Sequence, residues 1–326
     1  MPLPADFVER FQQLCPPELR DAARRSFAEP KAVSFRLNAL HAEVASALTD
    51  MRAAGLTPEP VAWAQSQGVQ AWLCPAAQRE ALTHGPWAND GRIYIQSLSS
   101  MLAPILLAPT ADDWVLDLAA APGGKTILMA EMMGNAGKIS AVEPVSGRFH
   151  RLKANLDRMG ITNTRCYLKD GREIGRLKPD TFQRVMLDAP CSSESRFRAD
   201  APDSIDHWSL RKVAECARKQ ERLILSAYDG LAPGGQLLYC TCSYAPEENE
   251  RIVAHLLKKR AGAEVLPPPA WVQSLSNARP GIGSWQDKPL PAACAQTLRV
   301  WPTAEMDGFY LALIRKGAPR GEASFL

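Results

Sequence analysis

The sequence predicts an α/β protein, a Rossmann-like doubly wound parallel sheet with a small N-terminal α+β domain ahead of it. Three observations carry this. From Trp114 onward, apolar runs of strand length alternate with helical stretches. The first run, Val115-Leu116-Asp117-Leu118, passes through Ala119-Ala120-Ala121-Pro122-Gly123-Gly124-Lys125, a glycine-bearing turn of nucleotide type. Two later runs end in cysteine: Val185-Met186-Leu187-Asp188-Ala189-Pro190-Cys191 and Leu237-Leu238-Tyr239-Cys240-Thr241-Cys242. Ligands of open α/β sheets bind off such carboxyl ends.

The elements follow in order. Residues 1 to about 30 read as helical, with Phe7, Phe11 and Leu14 sharing a face. Val33 to Asn38 alternates like a strand. His41 to Ala54 carries Val44, Leu48 and Met51 at helical spacing and stops at Gly55. Pro60-Val61-Ala62-Trp63 reads as another strand. Beyond Trp114 the expected strands are 114–118, 138–142, 164–168, 182–188 and 235–241, and the expected helices 124–133, 145–159 and 209–230. Residues 262–297 are rich in Pro, Gly and Ala. Leu298 to Trp301 and Gly308 to Ile314 then form a strand pair that completes the sheet. The expected division is residues 1–90, 91–318 and a tail at 319–326.

Bulk properties narrow the function classes. A 326-residue chain, 46% hydrophobic and 22% charged, suits about two globular domains. No apolar run approaches the ~20 residues of a membrane span, and Met1 to Asp6 lacks a signal-peptide pattern, so the expected location is cytoplasmic. The eight cysteines are expected to be reduced. No Cys-x-x-Cys pair is present, so no metal is expected. Between Arg148 and Arg222 there are 17 Lys and Arg against 11 Asp and Glu, a basic excess that would attract a polyanion such as RNA.

The adjacent glycines at 123 and 124 let a ligand approach the backbone at a helix N-terminus. Glu143 lies 20 residues past Gly123, where a carboxylate can accept ribose hydroxyls. Asp170, at the end of the third strand, is placed to bond an adenine amino group. The turn has neither the Gly-x-Gly-x-x-Gly nor the P-loop spacing, yet with these two acids it points to an adenosine ligand. A thiolate is strongly nucleophilic, and Cys242 enters the turn before Pro246-Glu247-Glu248, a helix start expected to lower its pKa. Asp188 is placed to exchange a proton with a heteroaromatic substrate. The remaining cysteines, Cys240 among them, read as core.

Asp117 to Thr126, Asp188-Ala189-Pro190-Cys191-Ser192 and Thr241-Cys242-Ser243 followed by Pro246-Glu247-Glu248-Asn249 resemble the Sun-type (Fmu/Nop-like) RNA (cytosine-5) methyltransferases. Tyr94-Ile95-Gln96 with Ser99-Ser100, and Asp307-Gly308-Phe309-Tyr310, are similar to that family's lead-in and closing strand. The resemblance covers about residues 33 to 316. It implies a class I methyltransferase fold that uses S-adenosylmethionine, with ribosomal or transfer RNA as partner and an RNA-recognition-like role for the N-terminal region. By this resemblance Cys242 attacks carbon 6 of a cytosine, Asp188 stabilises the adduct at ring nitrogen 3, and Cys191 assists release. The implied cofactor set is Ala120, Ala121, Pro122, Gly123, Gly124, Lys125, Glu143, Arg148, Asp170, Gly171 and Asp188.

The chain departs from the family at Ala119, where cysteine is usual, and at Ser193, where glycine is usual. The following Glu194-Ser195-Arg196-Phe197-Arg198 is also atypical. The changed loop after Cys191 is the one feature that favours a catalytically weak RNA-binding assembly factor, and retention of both thiols argues against it. A protein or small-molecule methyltransferase would leave both thiols unexplained. A monomer is expected, since no coiled-coil or repeat pattern is present.

Overall fold

The structure, a computed structural model, describes residues 3–317; the tail expected at 319–326 and residue 318 lie outside the described residues. A small antiparallel sheet comes first: β1 (Val33–Leu37), β2 (Glu59–Pro60), β3 (Ala71–Cys74) and β4 (Ile93–Ile95), in the order β2-β3-β1-β4. The helix Val44–Ala53 buries Ala47 and Met51 against Val33 and Phe35 of β1, and the chain turns out through Gly55 at φ +84°. Two expectations change here. The strand expected at 60–63 ends at Pro60, and Ala62–Gln65 is a short helix that buries Ala64 and stacks Trp63 on Trp271. The small sheet also reaches past residue 90, because Ile93 of β4 fills its core and Phe35 pairs with Ile95.

The first helices, Ala5–Leu14 and Arg20–Ala28, bury Phe7, Phe11 and Phe27 away from that sheet. These rings pack with Phe197 and Tyr244, which lie beyond the two cysteine-bearing strand ends, and with Trp301 from near the C-terminal end of the chain. Phe7 meets Phe197 edge-on at 4.9 Å and Phe11 meets Tyr244 at 4.8 Å between centroids.

The large sheet follows the predicted rhythm. Its parallel strands are β5 (Trp114–Asp117), β6 (Lys138–Val142), β7 (Thr164–Tyr167), β8 (Phe182–Asp188) and β9 (Leu231–Thr241). The chain adds β10 (Ala263–Leu266), β11 (Ala278–Pro280), a separate two-stranded ladder of β12 (Ser284–Trp285) with β13 (Lys288–Pro289), then β14 (Leu298–Val300) and β15 (Phe309–Lys316). The order is β11-β14-β15-β9-β8-β5-β6-β7, with β10 on β15; the terminal pair completes the sheet as expected, and it joins antiparallel beside β9. β9 begins at Leu231 rather than 235, extended by a register shift against Phe182.

Alternation along the strands divides the core. Val115, Met186, Leu238 and Cys240 face the helices Leu98–Leu107 and Gly124–Met132. Leu116, Val185, Leu187, Leu237 and Tyr239 face Leu210–Gly230 and Glu250–Lys259. A strand buried on both faces reads as a continuous apolar run, which is why β8 and β9 were legible. β5 and β8 are neighbours from which the chain winds outward in opposite directions, so the switch point lies between them. Among the described residues no helix is long and apolar enough to cross a membrane.

Candidate active site

The switch point opens into a cavity of about 570 Å³ over the carboxyl ends of β5, β8 and β9. The turn after β5 forms one wall and enters the helix Gly124–Met132 through Gly123, whose φ of +114° favours glycine. A Cβ on Gly124 would stand 3.1 Å from the Tyr94 ring, so β4 and this turn approach closely only because the side chain is missing. Asp117, at the end of β5, lines the cavity. Its Oδ2 accepts from Thr126 Oγ1 at 2.7 Å, its Oδ1 has no protein partner, and burial pushes its pKa up to about 6.

Lys125 points across the turn. Its Nζ donates to Asp188 Oδ2 at 2.7 Å and to Ser100 Oγ at 2.9 Å, and lies 5.3 Å from the Phe309 ring. Burial opposes the ammonium charge, but the Asp188 carboxylate prevails and raises the Lys125 pKa. Ser100 also accepts from Gln96 Nε2, and Gln96 Oε1 accepts from Arg36 Nε of β1 at 3.0 Å. The small sheet is thereby wired to the ion pair in the site.

Cys191 and Cys242 face one another with 3.2 Å between sulfurs. Cys191 keeps its proton: donation to Cys242 and burial both raise it well above the usual thiol range. Cys242 is drawn the other way, first by that hydrogen bond and then, against desolvation, by the Arg196 guanidinium. The expected lowering by a helix N-terminus gives way to these partners, since the helix begins only at Glu250. Cys240 is fully buried, as expected of core, and its Sγ donates to Asp188 Oδ1 at 3.6 Å.

Two buried acids hold the loops that carry the thiols. Glu194 Oε2 accepts from the N–H groups of Tyr244 (2.7 Å) and Ala245 (3.0 Å), and its Oε1 from Trp208 Nε1 (3.0 Å). Glu248 accepts from Ser192 N at 2.9 Å, from the Ser192 hydroxyl, and from Gln220 Nε2 at 2.9 Å. The Ser243 hydroxyl lies 3.0 Å from Glu194 Oε2 and 2.8 Å from Glu248 Oε1, with one hydrogen to give. Burial, with Glu194 nearby, pushes the Glu248 pKa from 4.5 up to about 7. A carboxyl raised by folding keeps its proton where the unfolded chain has lost it, so stability falls as pH rises from about 4.5 to about 7. Glu248→Gln is therefore expected to flatten that fall, which the shift makes on the order of 3 kcal/mol, read from urea midpoints across the window.

The expected cofactor residues divide into two groups. Ala120, Ala121, Pro122, Gly124, Lys125, Arg148 and Asp188 share the cavity wall with both thiols. Gly123 shapes the turn behind it. Glu143 is buried at the end of β6; it accepts from Val145 N at 3.0 Å and lies 3.7 Å from Arg148 Nε. Arg148 in turn donates to Ala121 O at 2.7 Å, coupling that acid to the turn. Asp170 stands off the cavity with its carboxylate held by Arg172, whose Nε lies 3.0 Å from both oxygens, a partner that would compete with an adenine amino group. Gly171 packs the backbone: a Cβ there would stand 2.8 Å from Leu118 O.

Asp117, Ser100 and Arg196, which the sequence marked only within longer segments and gave no individual role, join the site. The orphaned Asp117 oxygen and the Ser100 contact exist only in three dimensions. Arg196 had a signal, a cation in the atypical segment after Cys191.

A doubly wound sheet with a glycine turn and a cavity at its switch point is the Rossmann-like fold of class I methyltransferases. The family model described as 16S rRNA methyltransferase RsmB/F matches residues 104–315, and the chain belongs to that family. Ribosomal RNA small subunit methyltransferase F of Aeromonas salmonicida (strain A449) is 33% identical over 322 residues, covering 96% of this chain and 64% of that protein. The chain thus spans just under two thirds of that relative. The tRNA (cytosine(49)-C(5))-methyltransferase of Pyrococcus abyssi is 37% identical over 260 residues, 79% of this chain and 80% of that protein. A crystal structure of a methyltransferase homolog protein from Pyrococcus horikoshii superposes with a TM-score of 0.74 at 28% identity, covering 96% of this chain and all of that one.

Proposed function

We propose that this chain is an S-adenosylmethionine-dependent RNA cytosine-C5 methyltransferase, acting on ribosomal or transfer RNA through a covalent Cys242–cytosine adduct. The observation that carries the reading is the facing thiol pair, 3.2 Å apart, in one cavity with the Lys125–Asp188 ion pair. Family membership and the names of the RNA-methylating relatives support the same chemistry.

The residues at the end of β5 fit the cofactor. Asp117 Oδ1 is a buried acceptor without a protein donor, and Ala119 to Gly124 carry no side chain larger than proline. Asp117 and the 120–125 turn would hold the methionine end and Glu143 the ribose, while Asp170 would reach the adenine only by exchanging its Arg172 partner for it. When bound, S-adenosylmethionine supplies an electrophilic methyl group.

The chain's own residues do the rest. Cys242, as thiolate, adds to carbon 6 of the cytosine and makes carbon 5 nucleophilic. Asp188, with Lys125 fixing its orientation, holds the proton at ring nitrogen 3. After carbon 5 is methylated, its proton passes to a base with Cys191 assisting, the C–H electron pair re-forms the 5,6 double bond, and the carbon 6–sulfur bond breaks to release the Cys242 thiolate. Arg148, Arg151 and Arg196 on the cavity wall suit an RNA backbone.

The test is Cys191→Ala protein expressed in its native host and purified under denaturing conditions. Impaired release is expected to leave RNA covalently attached, mapping to one cytosine when sequenced. No attached RNA, together with failure of the unaltered protein to methylate host RNA lacking the modification, would refute the proposal.

A further inference from the structure

The turn after Cys191 carries a cation that the mechanism leaves without a chemical task beyond RNA attraction. Ser193 adopts φ +60°, and Arg196 N closes the turn on Ser193 O at 2.9 Å. The turn is bonded to the Cys242 segment on both sides of the thiol. Ser195 N donates to Cys242 O at 3.0 Å, while Glu194 receives the Tyr244 and Ala245 N–H groups. The Arg196 guanidinium lines the cavity with Cys242 and has no hydrogen-bond or ion-pair partner among the described residues.

The other charges around Cys242 are committed. Asp188 opposes a thiolate, but it is paired with Lys125 at 2.7 Å. Cys191 retains its own proton. Glu194 and Glu248 are taken up by the donors of the loop network, and Asp307 of the cavity wall is paired with Lys31 at 2.6 Å. Among the described residues, Arg196 is left as an uncommitted positive charge that shares the cavity wall with the nucleophile and acts on it.

We propose that Arg196 is a positioning residue that holds Cys242 as a thiolate before RNA arrives, an inference that rests on Cys242 being the nucleophile. The influence is mutual: Cys242 is the leading cause of the raised Arg196 pKa, and Arg196 draws Cys242 down. A hydrogen bond from the Ser193 side chain acts on Cys242 in the same direction.

The test is alkylation of Cys242 by iodoacetamide in RNA-free full-length protein, followed by peptide mass from about pH 5 to 9. Arg196→Gln is expected to move the reactivity midpoint up by about one pH unit. Relative to its high-pH plateau, the rate at about pH 6 would then fall about fivefold. Arg196→Lys is expected to restore most of the shift, because charge rather than shape is responsible. A profile for Arg196→Gln that superimposes on the unaltered protein overturns the proposal, as does a shift that lysine leaves unrepaired. Either result leaves the nucleophile reading intact if Cys191→Ala still traps RNA. An ordinary thiol profile in the unaltered protein, without trapped RNA, overturns both.

Discussion

Cys242→Ala is expected to abolish methyl transfer, with a loss of at least about 10⁴-fold in label incorporated from S-adenosylmethionine into unmodified host RNA. The magnitude follows from the chemistry. Carbon 5 of cytosine is a poor nucleophile until a thiolate adds at carbon 6, and no other group is placed to substitute. Cys191 is displaced from that sulfur by 3.2 Å on a separate loop, and Cys240 is fully buried with its Sγ on Asp188. Cys242 is only half-buried, so alanine leaves the fold in place, and an unchanged denaturation midpoint verifies this. Cys242→Ser keeps the shape with a far weaker nucleophile and is expected to be nearly as inactive. Substantial transfer by Cys242→Ala would refute the covalent mechanism.

Arg299→Leu is expected to cost about 3–5 kcal/mol of stability, read as a lower urea midpoint at unchanged slope. Arg299 on β14 pairs with Glu250 through Nε (2.6 Å) and a terminal nitrogen (2.5 Å), both side chains almost completely buried. Its remaining terminal nitrogen donates to Tyr244 O at 2.9 Å. Leucine would leave a carboxylate buried without its cation, and an unpaired buried charge is the costly outcome. Arg299→Leu combined with Glu250→Leu is expected to recover much of the loss, because the orphaned charge disappears with its partner. If the single variant matched the unaltered protein, this pair would not be holding the antiparallel edge to the helix Glu250–Lys259.

The same pair shows how far the sequence could be read. Arg299 and Glu250 are 49 positions apart, and nothing local in either segment marks them as partners. The short strands β11 to β13 were likewise hidden in a Pro- and Gly-rich stretch, because they are stabilised by their neighbours rather than by a pattern of their own. The strand expected at Pro60 to Trp63 was overridden by burial of Ala64 and the stacking of Trp63 on Trp271.

By itself, the sequence determined the doubly wound core, the turn at Gly123–Gly124 and the placing of Cys191 and Cys242 at strand ends. Each of these is a short-range matter: strands buried on both faces are continuous apolar runs, and a turn needing positive φ selects glycine. Tertiary structure decided what those residues do to one another. It brought the sulfurs within 3.2 Å, put Arg196 on the same cavity wall, tied Lys125 to the small sheet through Ser100 and Gln96, and packed the Phe7 and Phe11 rings against Phe197 and Tyr244 beyond the cysteines. Those contacts join segments tens to hundreds of positions apart, and charge and hydrogen bonding act through space rather than along the chain.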